Sequence, residues 1–200
     1  MTGVITGDIA NSRSVDASLW MAQLRQTLSR YGREPSQWEI YRGDSFQLET
    51  RPEMSLEVAL HLKAAIKQYT GLNIRTAIGI GDKTFISDKI TESNGSAFVY
   101  SGECFEQLKK QSLAIKTPCS DLDEQLNLMF MLASITISGW SSTSAAIIKA
   151  AIENPELNQK KLANLLKMEQ SNVSRGLKRG GYDEIIKMTA FFKKHIKTLC

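Results

Sequence analysis

Two aspartates stand where chemistry is possible. Asp8 closes an apolar run at residues 4–9, and Asp44 follows Gly43 in a turn signal between short apolar segments at 38–41 and 46–48. A pair of carboxylates at one edge of a fold is the protein share of a magnesium site, with water and phosphate oxygens completing the octahedron. Asn11 and Ser12, in the polar loop before a helix, offer backbone N–H groups to a phosphate. Arg13, Arg42 and Gly43 flank the two acids. An arginine beside a carboxylate is as often a plain ion pair, and aspartates are common in turns for their local hydrogen bonds. On spacing alone, a metal-nucleotide site and a structural role both remain open. No catalytic group is assigned.

The second set lies near the other end. Gln170, Ser171, Asn172, Ser174, Arg175 and Lys178 fall on one side of a helix expected from Ser171 to Lys178, and all can hydrogen-bond base edges or phosphates in a major groove. A preceding helix is expected over 159–166, capped by Asn158, with a turn at 167–170. Leu162, Leu165, Leu166, Met168, Val173 and Leu177 would bury the crossing, and Ala163 lets the helices approach. Lys167 opens the turn where many such motifs carry glycine, which predicts a looser or shifted turn. A helical hairpin that only packs on the body is the competing reading.

The elements that must position these residues alternate. A strand at 4–9 is followed by a helix with an apolar stripe at Leu19, Ala22, Leu24, Leu28 and Tyr31, ended by Gly32 and Pro35. Two strands at 38–41 and 46–48, a helix from Met54 to Tyr69 capped by Ser55, and a strand at 74–80 complete β-α-β-β-α-β. That order predicts an α+β fold, an α/β sandwich of ferredoxin-like type, with Asp8 and Asp44 facing one another across neighbouring strands. Beyond it, residues 82–118 read as a helix, a strand at 98–100, a helix at 102–110 and a strand at 113–116. Asp121 is expected to cap a helix through Ile137. Ser138, Gly139, Ser141 and Ser142 around Trp140 read as a hinge, dividing a 1–138 domain from a helical 139–200 module. Gly79 and Gly81 read as points of close chain packing, and Phe191, Phe192 and Ile196 as packing or dimer contacts.

Composition bounds the rest. Residues 144–200 hold eleven Lys and Arg against five Asp and Glu, and the preceding residues fourteen against sixteen, so a tail of +6 follows a body of −2. A polyanion is attracted to the tail alone, although such faces are often merely solvating. Cys104, Cys119 and Cys200 form no CxxC pair, which favours a reducing compartment. The longest apolar stretch, 126–137, is too short to span a bilayer, and the start MTGVITGDIA carries no basic leader signature, so a cytoplasmic protein is expected. His61 and His195 have no partner at metal-ligand spacing, and no nucleophile triad is visible.

The segments TGDIANSR, YRGDSFQ and RTAIGIGD resemble the signature pieces of the nucleotide-cyclase palm and its GGDEF relatives. That resemblance implies two Mg²⁺ ions held on a nucleoside triphosphate by Asp8 and Asp44, although the acids that follow in a diguanylate cyclase are missing after Asp44. The stretch QKKLANLLKMEQSNVSRGLKRG resembles bacterial helix-turn-helix regulators. VITGDIANSR, YRGDSFQ, IGIG and SNGSAFVYSG, taken in order with that motif, resemble the bacterial SatD family over nearly the whole chain. The expectation is a DNA-binding transcriptional regulator whose palm-like domain senses a nucleotide or metal-nucleotide, acting as a homodimer. A divergent nucleotidyl cyclase or transferase using Asp8 and Asp44, and a non-catalytic protein adaptor, are the alternatives.

Overall fold

Alternation along the first apolar run separates two environments on the two faces of one strand. In the computed structural model, which describes residues 1–199, β1 (Thr2–Ala10) sends Ile5 and Ile9 into the main apolar core. On its other face Val4 packs with Ile90, Ala97 and Phe98, and Thr6 bonds Ser101. Antiparallel neighbours flank it on both sides, β3 (Ser45–Thr50) and β4 (Asn73–Gly81). β2 (Trp38–Tyr41) lies outside β3, and β5 (Leu113–Lys116) runs parallel to β4 at the opposite edge, so the order is β2-β3-β1-β4-β5. The fold is α+β, and the first four strands follow the expected β-α-β-β-α-β order.

One face of the sheet is covered by two helices. α1 (Ala17–Ser29) starts where the Asp16 carboxylate accepts the Ser18 N–H at 2.9 Å, and it buries Trp20, Leu24 and Leu28. α2 (Ser55–Ile66) is shorter than the apolar pattern predicts. A 3-10 turn at Pro52–Met54 precedes it, and the Ser55 hydroxyl donates to the Arg51 carbonyl instead of capping the helix. Every residue of α2 except Glu57 is buried.

The opposite face corrects the sequence reading of 82–110. Residues 82–95 form a loop with a 3-10 turn at Ile90–Glu92 and one isolated bridge between Phe85 and Asn94, and the strand expected at 98–100 lies within the start of α3 (Ser96–Glu106). The reason lies in β4. A Cβ on Gly79 would sit 2.1 Å from the Ala97 carbonyl oxygen and 2.4 Å from the Ser101 nitrogen. A helix with small residues four apart can lie that closely on bare strand backbone, and the β preference of Phe98, Val99 and Tyr100 yields to it.

α4 (Ser120–Ser138) packs on β5 and buries Leu122, Leu126, Phe130 and Ile137. Asp121 is not its cap. Cys119 holds that position, and Asp123 reaches back to accept the Thr117 N–H at 3.0 Å. α5 (Ser142–Glu153), α6 (Gln159–Leu166), α7 (Gln170–Arg179) and α8 (Tyr182–Leu199) follow. α5 and α8 lie against α2, so one apolar cluster runs from Ile5 through Leu56 and Leu62 to Ile148, Phe192 and Ile196. The segment expected as a hinge is pinned: Trp140 is buried and its indole N–H donates to the Gly180 carbonyl at 2.9 Å. Among the described residues no helix is long and apolar enough to cross a membrane.

The fit at Gly79 is testable. Gly79→Ala forces α3 away from β4 and should lower unfolding free energy by about 2 kcal/mol in urea titration; an unchanged midpoint would show that this approach contributes nothing.

Candidate functional site

The two expected helices and the turn between them form as the caps dictate. The Asn158 carboxamide oxygen accepts the Lys161 N–H at 3.0 Å and opens α6. At the other end Lys167 is left-handed (φ 53°), its N–H reaches the Asn164 carbonyl at 3.2 Å, and the Met168 N–H reaches Ala163 at 2.9 Å. This is the double bond of a Schellman turn, which normally uses glycine. The turn is therefore tight, not loosened, and the lysine backbone carries the cost. α7 begins at Gln170, one residue before the expected Ser171.

Leu162, Ala163, Val173 and Leu177 are buried together with Ile147, Ala150 and Ala151 of α5, while Leu166 and Met168 are half-buried. Leu165 is exposed and takes no part in the crossing. Gly176 lets α7 settle on α5, since a Cβ there would lie 2.4 Å from the Ile147 Cδ1. The outer face of α7 presents Gln170, Ser171, Asn172, Arg175 and Lys178 to solvent, with Ser174 half-buried at its margin. Arg175 donates from Nε to the Ser171 carbonyl at 3.2 Å and from Nη2 to the Asn172 Oδ1 at 2.6 Å, so guanidinium and amide form one polar unit. Lys160, Lys161, Lys167 and Arg179 are also exposed on this module. Of these only Lys167 was singled out in the sequence, for its turn, though the charge split already contained them all.

The two aspartates are neighbours in backbone and separate in their bonds. Ser45 is the cross-strand partner of Asp8, and the Ile9 N–H donates to the Asp44 carbonyl at 3.1 Å. Asp8 accepts both nitrogens of a fork from Arg75, its partner across β4: Nε at 2.9 Å, and Nη2. The Arg75 guanidinium also stands 5.4 Å over the Phe105 ring. Asp44 instead accepts the Ser12 hydroxyl at 2.6 Å and the Ser45 hydroxyl at 3.4 Å. Asn11 is left-handed and donates to the Gly71 carbonyl at 3.3 Å. Arg13, Arg42 and Gly43 are exposed, and neither arginine makes an ion pair among the described residues. Tyr41, half-buried in the same row, has its phenol pushed up by burial, opposed by Arg42 and reinforced by Asp8. A cation at Asp8 must first displace Arg75. Among the described residues no three His, Cys, Asp or Glu gather as metal ligands.

A third cluster was not foreseen. His61 of α2, read in sequence as surface or core, is 1 % exposed, with Nε2 3.1 Å from Glu153 of α5 and Nδ1 2.7 Å from the Tyr31 hydroxyl. Glu153 also bonds Lys149 at 2.8 Å. An ionised glutamate only accepts, so the neutral imidazole donates from Nε2 and takes the tyrosine proton at Nδ1. Close by in α2, buried Lys63 donates to the Ile74 carbonyl at 3.0 Å and to the Ser112 hydroxyl at 2.7 Å, and burial together with Lys67 lowers its pKa to about 7. Neither group was legible, because its partners lie far away along the chain.

The sequence model of the SatD family matches residues 3–195. A search of curated proteins finds no match to the chain.

Two tests follow from this geometry. Burial lowers the His61 pKa to about 4, against 6.5 when unfolded, with Glu153 opposing. Below 6.5 the unfolded chain binds the extra proton, so stability falls from pH 6.5 toward 4, by up to roughly 3 kcal/mol. Denaturation across that range should be flatter in His61→Gln, and equal slopes would remove His61 from the account. Lys167→Gly should raise stability by about 1 kcal/mol in the same assay by relieving the left-handed lysine; a loss would mean that its side chain matters more than its backbone.

Proposed function

The chain belongs to the SatD family, and from the geometry of its C-terminal helices we propose that it is a DNA-binding regulator that reads a major groove with α7. The observation that carries this reading is the exposed row Gln170, Ser171, Asn172, Arg175 and Lys178 on the second helix of a tightly turned pair. A recognition helix enters the groove by its N-terminal residues while the first helix crosses the phosphate backbone. Here the first helix carries Lys160 and Lys161, placed to meet phosphates. Arg175, already hydrogen-bonded to Asn172, suits the paired acceptors of guanine, and the backbone N–H groups at the start of α7 suit a phosphate. The +6 charge of this part of the chain supplies the sequence-independent attraction.

The N-terminal half, in the same reading, senses a nucleotide. Arg13 and Arg42, exposed beside the Asp44–Ser12 bond, are free to meet phosphates, and Asp44 with Asp8 supplies carboxylates for Mg²⁺ once Arg75 has moved. The Asp8–Arg75 fork favours sensing over turnover, since a catalytic cation would compete with a guanidinium for both oxygens of one ligand.

Binding to fragments of its own upstream region, titrated at two salt concentrations, tests the main reading. Arg175→Ala/Lys178→Ala should weaken binding by at least about tenfold and make the salt slope shallower by roughly 1, the share of a lost phosphate contact. Absence of salt-dependent binding in the wild type would refute it. Magnesium with ATP or GTP should shift the DNA affinity of the wild type and not of Asp44→Asn, whereas triphosphate turnover that vanishes in Asp44→Asn would favour the enzyme.

A further inference from the structure

α4 is apolar on two sides. Its inner side chains Leu122, Leu126, Phe130 and Ile137 are buried, while Leu128, Met131, Leu132 and Ile135 on the outer side are 53 %, 48 %, 59 % and 75 % exposed. These four recur at helical spacing, and a helix apolar all round is ordinarily buried all round. From Gln125 to Trp140 the chain has no charged residue. A charged peptide needs a charged reader, and this stretch of helix offers none.

We propose that the outer face of α4 is the interface with a second copy of this chain, the two α4 helices crossing antiparallel about a two-fold axis. The stripe is its own complement. Its spacing reads the same from both ends, so an axis between Met131 and Leu132 sets Leu128 of one copy against Ile135 of the other and Met131 against Leu132. Charge agrees with that polarity. Exposed Asp121 and Glu124 lie at the N-terminal end of α4, and Arg179 rims the groove beside its C-terminal half, where Thr136 meets Gly181. Antiparallel crossing brings the acidic end of each copy to the basic rim of the other. It also places the α7 helices of both copies beside one interface, as two half-sites require. The interface stands whether or not the chain binds DNA.

Sedimentation velocity of the full chain without DNA, over the micromolar range, tests it. The wild type should sediment as a dimer, and Leu132→Asp or Ile135→Asp should raise the dissociation constant by at least about tenfold, with the native circular dichroism spectrum unchanged because both side chains are exposed on the single chain. In a Cys119→Ser/Cys200→Ser background, a Leu128→Cys chain mixed with an Ile135→Cys chain should form the mixed disulfide several-fold faster than either chain links to itself. A monomeric wild type, an Ile135→Asp chain that remains dimeric, or a mixed pair that links no faster overturns the proposal. DNA titration of the wild type keeps the two readings apart, because a monomeric wild type that binds DNA in a salt-dependent manner overturns only the interface, and a dimer that binds none overturns only the DNA reading.

Discussion

The structure rests on burying α2 from both sides. Eleven of its twelve residues are shielded, and no single layer can do that to a helix. The sheet covers one flank with Ile5, Leu48 and Ile78, and the C-terminal helices cover the other through Ile148 of α5 and Phe192 of α8. Polar groups on α2 are then forced to find partners inside. His61 takes Tyr31 and Glu153, and Lys63 takes a β4 carbonyl and Ser112. Each is a buried polar group whose loss would leave the others unpaired, so the joint is specific as well as apolar. The α6–α7 pair is held by this flank and by the Trp140 indole, not by a flexible connection.

Much of the frame was legible because it is written in local pattern. The alternation of residues 4–9 and 74–80, the turn at Gly43 and the cap at Asn158 each act within a few residues, and the observed elements follow them. Residues 96–106 were not legible in this way. Phe98, Val99 and Tyr100 read as a strand, but the deciding partner is the bare backbone of Gly79 and Gly81. The helical cue was nonetheless present in Ala97, Ser101 and Cys104, buried at spacings of four and three. The serines and glycine around Trp140 read as a linker for the same reason, since composition cannot show which carbonyl an indole will find.

The candidate site divides similarly. The row on α7 follows from helical spacing alone, and the structure adds that Arg175 is tied to Asn172, a pair three residues apart. The proximity of Asp8 and Asp44 followed from strand order, but the residue that governs Asp8 did not. Arg75 lies 67 positions away on β4, and only the register of two central strands sets its guanidinium against that carboxylate. Lys167 shows the converse. A lysine where glycine is usual predicted a loose turn, yet two capping hydrogen bonds hold it left-handed.

The double cover of α2 also dictates an order of events during synthesis. Strands β1 to β4 and both helices on their inner face leave the ribosome well before α5 and α8, yet the outer flank of α2 stays wet until the last third of the chain arrives. Until then an apolar helix flank faces solvent on an otherwise completed sheet, the kind of surface that recruits chaperones. Cooperative folding therefore waits for contacts between residues far apart in sequence, and this protein matures late relative to its own N-terminal half.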